Sequence, residues 1–196
     1  MNTPTIISST DPAALSRLSL VMEGALGSRG AADRAVVFAC IGTDRSTGDA
    51  LGPLVGQKLS RLGMEDRFIV GTLEDPLHAL NIADRLGPVL AGDPPPLVVA
   101  VDAALGPLAS VGSIAVRPGG LRPGQGVGKD LPVIGDLAVT ATVNVAARGL
   151  DAQVLQSTRL FHVQQMADLI GVACWWALRT VRREVEPAGA REARAA

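Results

Sequence analysis

The run Leu97-Val98-Val99-Ala100-Val101 has no polar interruption and ends on Asp102. A strand with one wet face alternates apolar and polar side chains, so a segment apolar at every position must be covered on both faces. Residues 97–103 are therefore read as a central strand of a sheet flanked by helices. Residues 35–41 form a second run of this kind. The pattern then alternates: a helix over 49–62, a strand over 68–72 and a helix over 75–86, with Asp75-Pro76 as its start signal. Such alternation implies βαβ units and a mostly parallel sheet, the α/β class.

Residues 111–117 and 137–145 are strand-like, and 154–183 read as one long terminal helix with a broad apolar side. Between these strands lies a Gly- and Pro-rich connection, 118–132, long enough to be a functional loop. The ends look different. Residues 1–33 carry one helix over 11–26, with Asp11 as cap and Pro12 at its first position, and are read as a helical extension. Residues 34–183 form the single domain, and 184–196 have no apolar face to bury. A chain of 196 residues suits one well-buried core.

Composition narrows the function. Hydrophobic residues make up 47% and charged residues 19%, with a formal net charge of -1, which is the balance of a globular chain. Near-neutral charge and 3% aromatic residues leave neither a phosphate-attracting field nor a stacking platform, so nucleic acid is not an expected partner. No stretch is long enough to span a membrane. Cys40 and Cys174 lack zinc or redox spacing, and Cys40 is read as a small buried hydrophobe. A cytoplasmic, reducing setting is expected.

The chemistry centres on the segment that follows residues 35–41. Gly42-Thr43-Asp44-Arg45-Ser46-Thr47-Gly48-Asp49 runs from a strand end into a helix, and ligands of open α/β sheets bind at that carboxyl-end rim. The segment is not a phosphate loop, because Asp49 stands where the pattern needs lysine and would repel the anion. Asp102 ends the central strand at the same rim. Two carboxylates brought together there could share a proton in acid–base catalysis or hold a divalent metal, with helix capping and turn formation as the structural alternatives. Asp44, Arg45, Ser46 and Thr47 are the candidate substrate-binding residues, Arg45 through a substrate carboxylate or a pair with Asp44 or Asp49.

His78 and His162 are both placed inside helices and read as surface or packing residues. Thr140, Thr142 and Asn144 read as half-exposed strand, Gln156 to Arg159 as capping residues. Trp175 and Trp176 are read as core and as a candidate homo-oligomer surface.

The stretch Cys40-Ile41-Gly42-Thr43-Asp44-Arg45-Ser46-Thr47-Gly48-Asp49-Ala50-Leu51-Gly52-Pro53 closely resembles the signature of the YyaC-like spore proteins. Gly71 to Ala79, Val101 to Gly106, the 123–132 loop and Leu155 to Leu160 resemble the same family, covering roughly residues 35 to 180. That family is similar in fold to the spore germination protease and to the endopeptidases that mature nickel–iron hydrogenases. The resemblance implies a three-layer, phosphorylase/hydrolase-like α/β/α domain and a sporulation role. Asp49 and Asp102 correspond to the two catalytic aspartates of the germination protease, and to two positions that bind nickel, with a histidine, in the endopeptidases. The expectation is a cytosolic sporulation-associated peptidase with an aspartate dyad, metal-assisted or not, acting on a protein or peptide. A non-catalytic regulatory or ligand-binding protein on the same fold is the alternative.

Overall fold

The computed structural model describes residues 3–123 and 132–185. Its core is a six-stranded sheet of β1 (Thr5–Ser8), β2 (Val36–Cys40), β3 (Ile69–Val70), β4 (Leu97–Gly106), β5 (Ser113–Pro118) and β6 (Leu137–Val145), in the order β1-β5-β6-β4-β2-β3. β3, β2, β4 and β6 run parallel, whereas β5 and β1 are antiparallel to their neighbours. The helices are α1 (Ala14–Gly27), α2 (Leu51–Arg61), α3 (Ile82–Leu90), α4 (Asp151–Gln156) and α5 (Leu160–Val185).

The unbroken apolar strands are buried as their composition demands. One face of the sheet, with Phe38, Val99, Val101 and Val139, packs under α1, α2 and α5. The other, with Val37, Ala39, Val98 and Ala100, packs under Ile82 and Leu86 of α3. Each fully buried aliphatic side chain contributes about 1.5–3 kcal/mol, and this double covering is what holds β2 and β4 at the centre. The result is a three-layer α/β/α architecture on a mostly parallel sheet.

Local expectations and structure part company at four places. The start of the chain supplies edge strand β1, paired with β5, in addition to a helix. That helix begins at Ala14, because the Asp11 carboxylate accepts from the Ala13 amide at 2.8 Å and closes a turn before it. Residues 75–81 are not helical: Asp75 pairs with Arg85 instead of capping, and Leu77 leaves the helix to bridge Ile41 in parallel. The terminal helix is broken between α4 and α5. At the break, Thr158 donates to the Val154 carbonyl at 2.7 Å and accepts from Asn144 Nδ2 at 3.1 Å.

The 118–132 connection is pinned by an antiparallel bridge between Leu121 and Ile134. Its residues 124–131, like the tail 186–196, lie outside the described residues. Among the described residues no helix is long and apolar enough to cross a membrane.

Candidate functional site

After β2 the chain turns to one side to form β3, then returns to form β4 on the other side of β2, with α2 and α3 on opposite faces. This is a topological switch point, where the diverging connections open a crevice at the carboxyl ends of the strands. Cys40, the last residue of β2, is level with Val101, so Asp102 emerges one position beyond it. The loop leaving β2 lies directly beside it.

That loop is built by close backbone approach. The Ile41 amide donates to the Val101 carbonyl and the Gly42 amide to the Leu77 carbonyl, both at 2.8 Å. Gly42, at φ 145°, touches the Asp49 backbone so closely that a Cβ there would lie 1.9 Å from the Asp49 carbonyl oxygen. A Cβ on Gly52 would lie 2.1 Å from the Ile41 carbonyl. The two contacts press the 3-10 turn Gly48–Ala50 and the start of α2 onto the end of β2, which fixes where Asp49 points. Behind the turn, Gly48 packs against Leu155 and Thr158, so the broken entry to α5 braces the same segment.

Asp49, Asp102, His78 and Ser46 line one cleft of about 810 Å³. Its floor extends along the sheet past Thr140, Ala138 and Ala115 to Pro4, and Arg117 and Arg122 line it as well. Burial pushes the Asp102 carboxyl well above its ordinary range, the Asp49 charge pushes it further, and the Ala103 amide, donating to Oδ1 at 2.9 Å, only partly opposes this. Burial also raises Asp49, with the Thr43 amide and the nearby His78 opposing only part of the rise. Both acids in one cleft are thus raised above the ordinary carboxyl range, Asp102 much further than Asp49, so that Asp49 is the readier of the two to give up its proton.

The other expected residues fall in different places. Ser46 faces the cleft, while Asp44 and Arg45 are exposed on the loop and Thr47 supplies its carbonyl to the turn, accepting from the Ala50 amide at 3.3 Å. Cys40 is fully buried, as is Cys174. Trp175 packs against the core and Trp176 is exposed. Thr140 lies beside Asp102 in register and faces the cleft, whereas Asn144 clamps the α4–α5 junction.

His78 is the residue that sequence reasoning misplaced. It sits on the non-helical turn before α3, where its amide donates to Asn81 Oδ1 at 2.8 Å and its Nδ1 accepts from the Leu80 amide at 3.3 Å. Nδ1 is therefore committed, leaving Nε2 as the free nitrogen. The available signal was Asn81, a cap-type residue directly before Ile82, which marks the true helix start.

A divalent metal was one option for the acid pair. Among the described residues no group of three or more His, Cys, Asp or Glu side chains is gathered closely enough to hold one. Asp49, Asp102 and His78 share the cleft without forming such a group.

This three-layer α/β/α fold is shared with a protease. The crystal structure of a [NiFe] hydrogenase maturation protease, HycI from Thermococcus kodakarensis KOD1, superposes with a TM-score of 0.53 at 16% identity, over 81% of this chain and 99% of that one. Residues 6–173 match the family described as a protein of unknown function (DUF1256), and the chain belongs to that family. It is 45% identical over 164 residues to the uncharacterized protein YyaC of Bacillus subtilis (strain 168), across 84% of this chain and 78% of that protein.

Proposed function

We propose that the protein is a peptidase, phosphorylase/hydrolase-like in fold, in which Asp49 and Asp102 activate water against a peptide bond. The observation that carries this reading is the placement of two acids of unequal proton affinity in one cleft at the switch point of the sheet. Asp49, as the carboxylate, takes a proton from water while the water oxygen bonds to the carbonyl carbon. Asp102, as the acid, gives its proton to the carbonyl oxygen. The tetrahedral diol collapses as the C–N bond breaks, the amine takes the proton held by Asp49, and Asp102 regains one from a diol hydroxyl. Both acids return to their starting states.

His78 biases Asp49 toward the charged form this cycle needs. Ser46 borders the reacting groups, and Asp44, Arg45 and Thr47 extend the substrate-binding loop around them. The substrate is a protein or peptide segment, and the setting we assign is the cytosol of a sporulating cell.

Incubation of wild type, Asp49→Asn and Asp102→Asn with a proteome-derived peptide library, with and without divalent metal, tests this by mass spectrometry. Wild type should cut and both variants should not. Equal cleavage by all three would remove the acids from the mechanism, and cleavage only with added metal would replace the dyad by a metal-assisted reaction. Retained peptide binding with no cleavage by wild type would favour a regulatory binding protein.

A further inference from the structure

A cleft whose reacting groups are acids also carries two arginines, Arg117 and Arg122. Ile114 and Val116 of β5 point into the core under α1, α2 and α5, so Ala115 and Arg117 point to the other face of the sheet. Val98 and Ala100 of β4 are buried on that other face, which puts Asp102, two residues on, there as well. Strand pairing fixes the levels: Ala115 is opposite Thr140 and Thr140 is beside Asp102, while Arg117 is opposite Ala138. Arg117 and Asp102 thus share one face across two strand spacings, roughly 12 Å from Cα to Cα. The floor between them is Ala115, Ala138 and Thr140, none of them large.

The guanidinium itself stands at the cleft wall. Arg117 is exposed, and its Nη2 donates to the carbonyl of Gly120, another cleft residue, at 2.9 Å. Gly120 is fixed in turn: a Cβ on it would lie 2.3 Å from the Ile134 carbonyl, and Leu121 and Ile134 exchange backbone bonds of 2.9 and 2.8 Å. The bond to Gly120 uses one of five guanidinium donors, and among the described residues Arg117 pairs with no carboxylate. A planar fork of donors matches a carboxylate with two parallel bonds. Asp151, which lines the cleft from α4, has its Oδ1 engaged by the Ala147 amide at 2.8 Å.

We propose that Arg117 binds a carboxylate of the peptide substrate, with Arg122 adding positive charge on the same wall. An extended peptide covers about 3.3 Å per residue, and the arginine side chain shortens the gap, so the carboxylate lies about three residues from the bond that Asp49 and Asp102 attack. An Asp or Glu side chain or the end of the peptide chain supplies the same chemistry. The assignment rests on the reading of the cleft as a peptide site.

The test exposes immobilised wild type, Arg117→Gln and Arg117→Lys to the proteome-derived peptide library and reads retained and cut peptides by mass spectrometry. The peptides that wild type retains best are then resynthesised in parent form, with each Asp or Glu changed to its amide, and with the C-terminus amidated. For wild type, one of these changes should weaken binding by about 10- to 100-fold, the effect of hydrogen bonds between charged groups. A loss on the side-chain change assigns an acidic residue, and a loss on C-terminal amidation assigns the chain end. Arg117→Gln should bind the charged and neutral forms alike with its Tm within a few degrees of wild type, and Arg117→Lys should regain part of the preference. Indifference of wild type to every neutralisation would overturn the assignment, and so would a full preference kept by Arg117→Gln. Retention with this preference but no cleavage removes the hydrolytic reading and keeps the carboxylate site, whereas cleavage without the preference removes the carboxylate site alone. A wild type that neither retains nor cuts any library peptide removes both.

Discussion

Asp49 and Asp102 line one cleft beyond the carboxyl ends of β2 and β4, and the Asp49 charge adds to the burial that raises the Asp102 carboxyl well above its ordinary range. The pair carries a cost in stability. A buried acid flanked by a like charge is tolerated in the folded protein only by keeping a proton that the unfolded chain gives up readily.

Replacing Asp102 by Asn should therefore stabilise the protein at neutral pH. The folded-state value of Asp102 lies above its ordinary 3.8, so its favourable contribution is full below that value and is lost as pH rises through the folded value. Asn keeps an oxygen to accept from the Ala103 amide and has no proton to lose. Thermal melts of wild type and Asp102→Asn should converge near pH 4 and separate as pH rises, with Asn the higher by about 2–4 °C for each kcal/mol regained. A variant less stable than wild type at pH 7 would contradict the placement of the carboxyl.

Peptide cleavage should follow a bell-shaped pH profile, because it needs Asp49 charged and Asp102 protonated at once. Both limbs belong to the coupled pair and not to either residue alone. His78→Gln removes the imidazole that lowers Asp49, so the acidic limb of kcat/KM should move to higher pH while the alkaline limb stays nearly in place. Movement of the alkaline limb alone would assign His78 to Asp102 instead.

The thiols should be silent in the native state. Cys40 and Cys174 are fully buried in one core; burial pushes Cys174 up to about 12, and burial together with Cys174 pushes Cys40 higher still. A thiol held protonated and out of solvent does not react. Titration with a thiol reagent at pH 8 should find no fast-reacting cysteine in the folded protein and two after denaturation. Rapid labelling without denaturant would show that the core opens at the end of β2.

Gly52→Ala should damage stability and the site together. Its Cβ would lie 2.1 Å from the Ile41 carbonyl, a backbone atom that cannot step aside, so α2 would have to move off β2. A loss of about 3 kcal/mol or more is expected in urea unfolding, beyond the usual range for a point change. Gly24→Ala, where nothing lies within 4 Å of the new Cβ, is the control and should be neutral or slightly stabilising. Equal effects of the two would mean that α2 does not press on the strand.

What the amino-acid order determined by itself was the part written in short-range pattern. The unbroken apolar runs of β2 and β4 required a doubly covered parallel sheet, and the first polar residues beyond those runs, through Asp49 and Asp102, marked its carboxyl rim. Tertiary structure decided the rest, wherever a partner distant in sequence outbid a local signal. Asp75-Pro76 looks like a helix start until Leu77 is claimed by Ile41 and Asp75 by Arg85, and only then does His78 come to the cleft beside Asp49. The polar first residues look expendable until β5 offers β1 an edge, which brings Pro4 to the cleft floor. Ser46 reads as one more loop serine, and only the folded loop shows a hydroxyl buried without a partner, because whether such a group is paired depends on every neighbour the fold assembles around it.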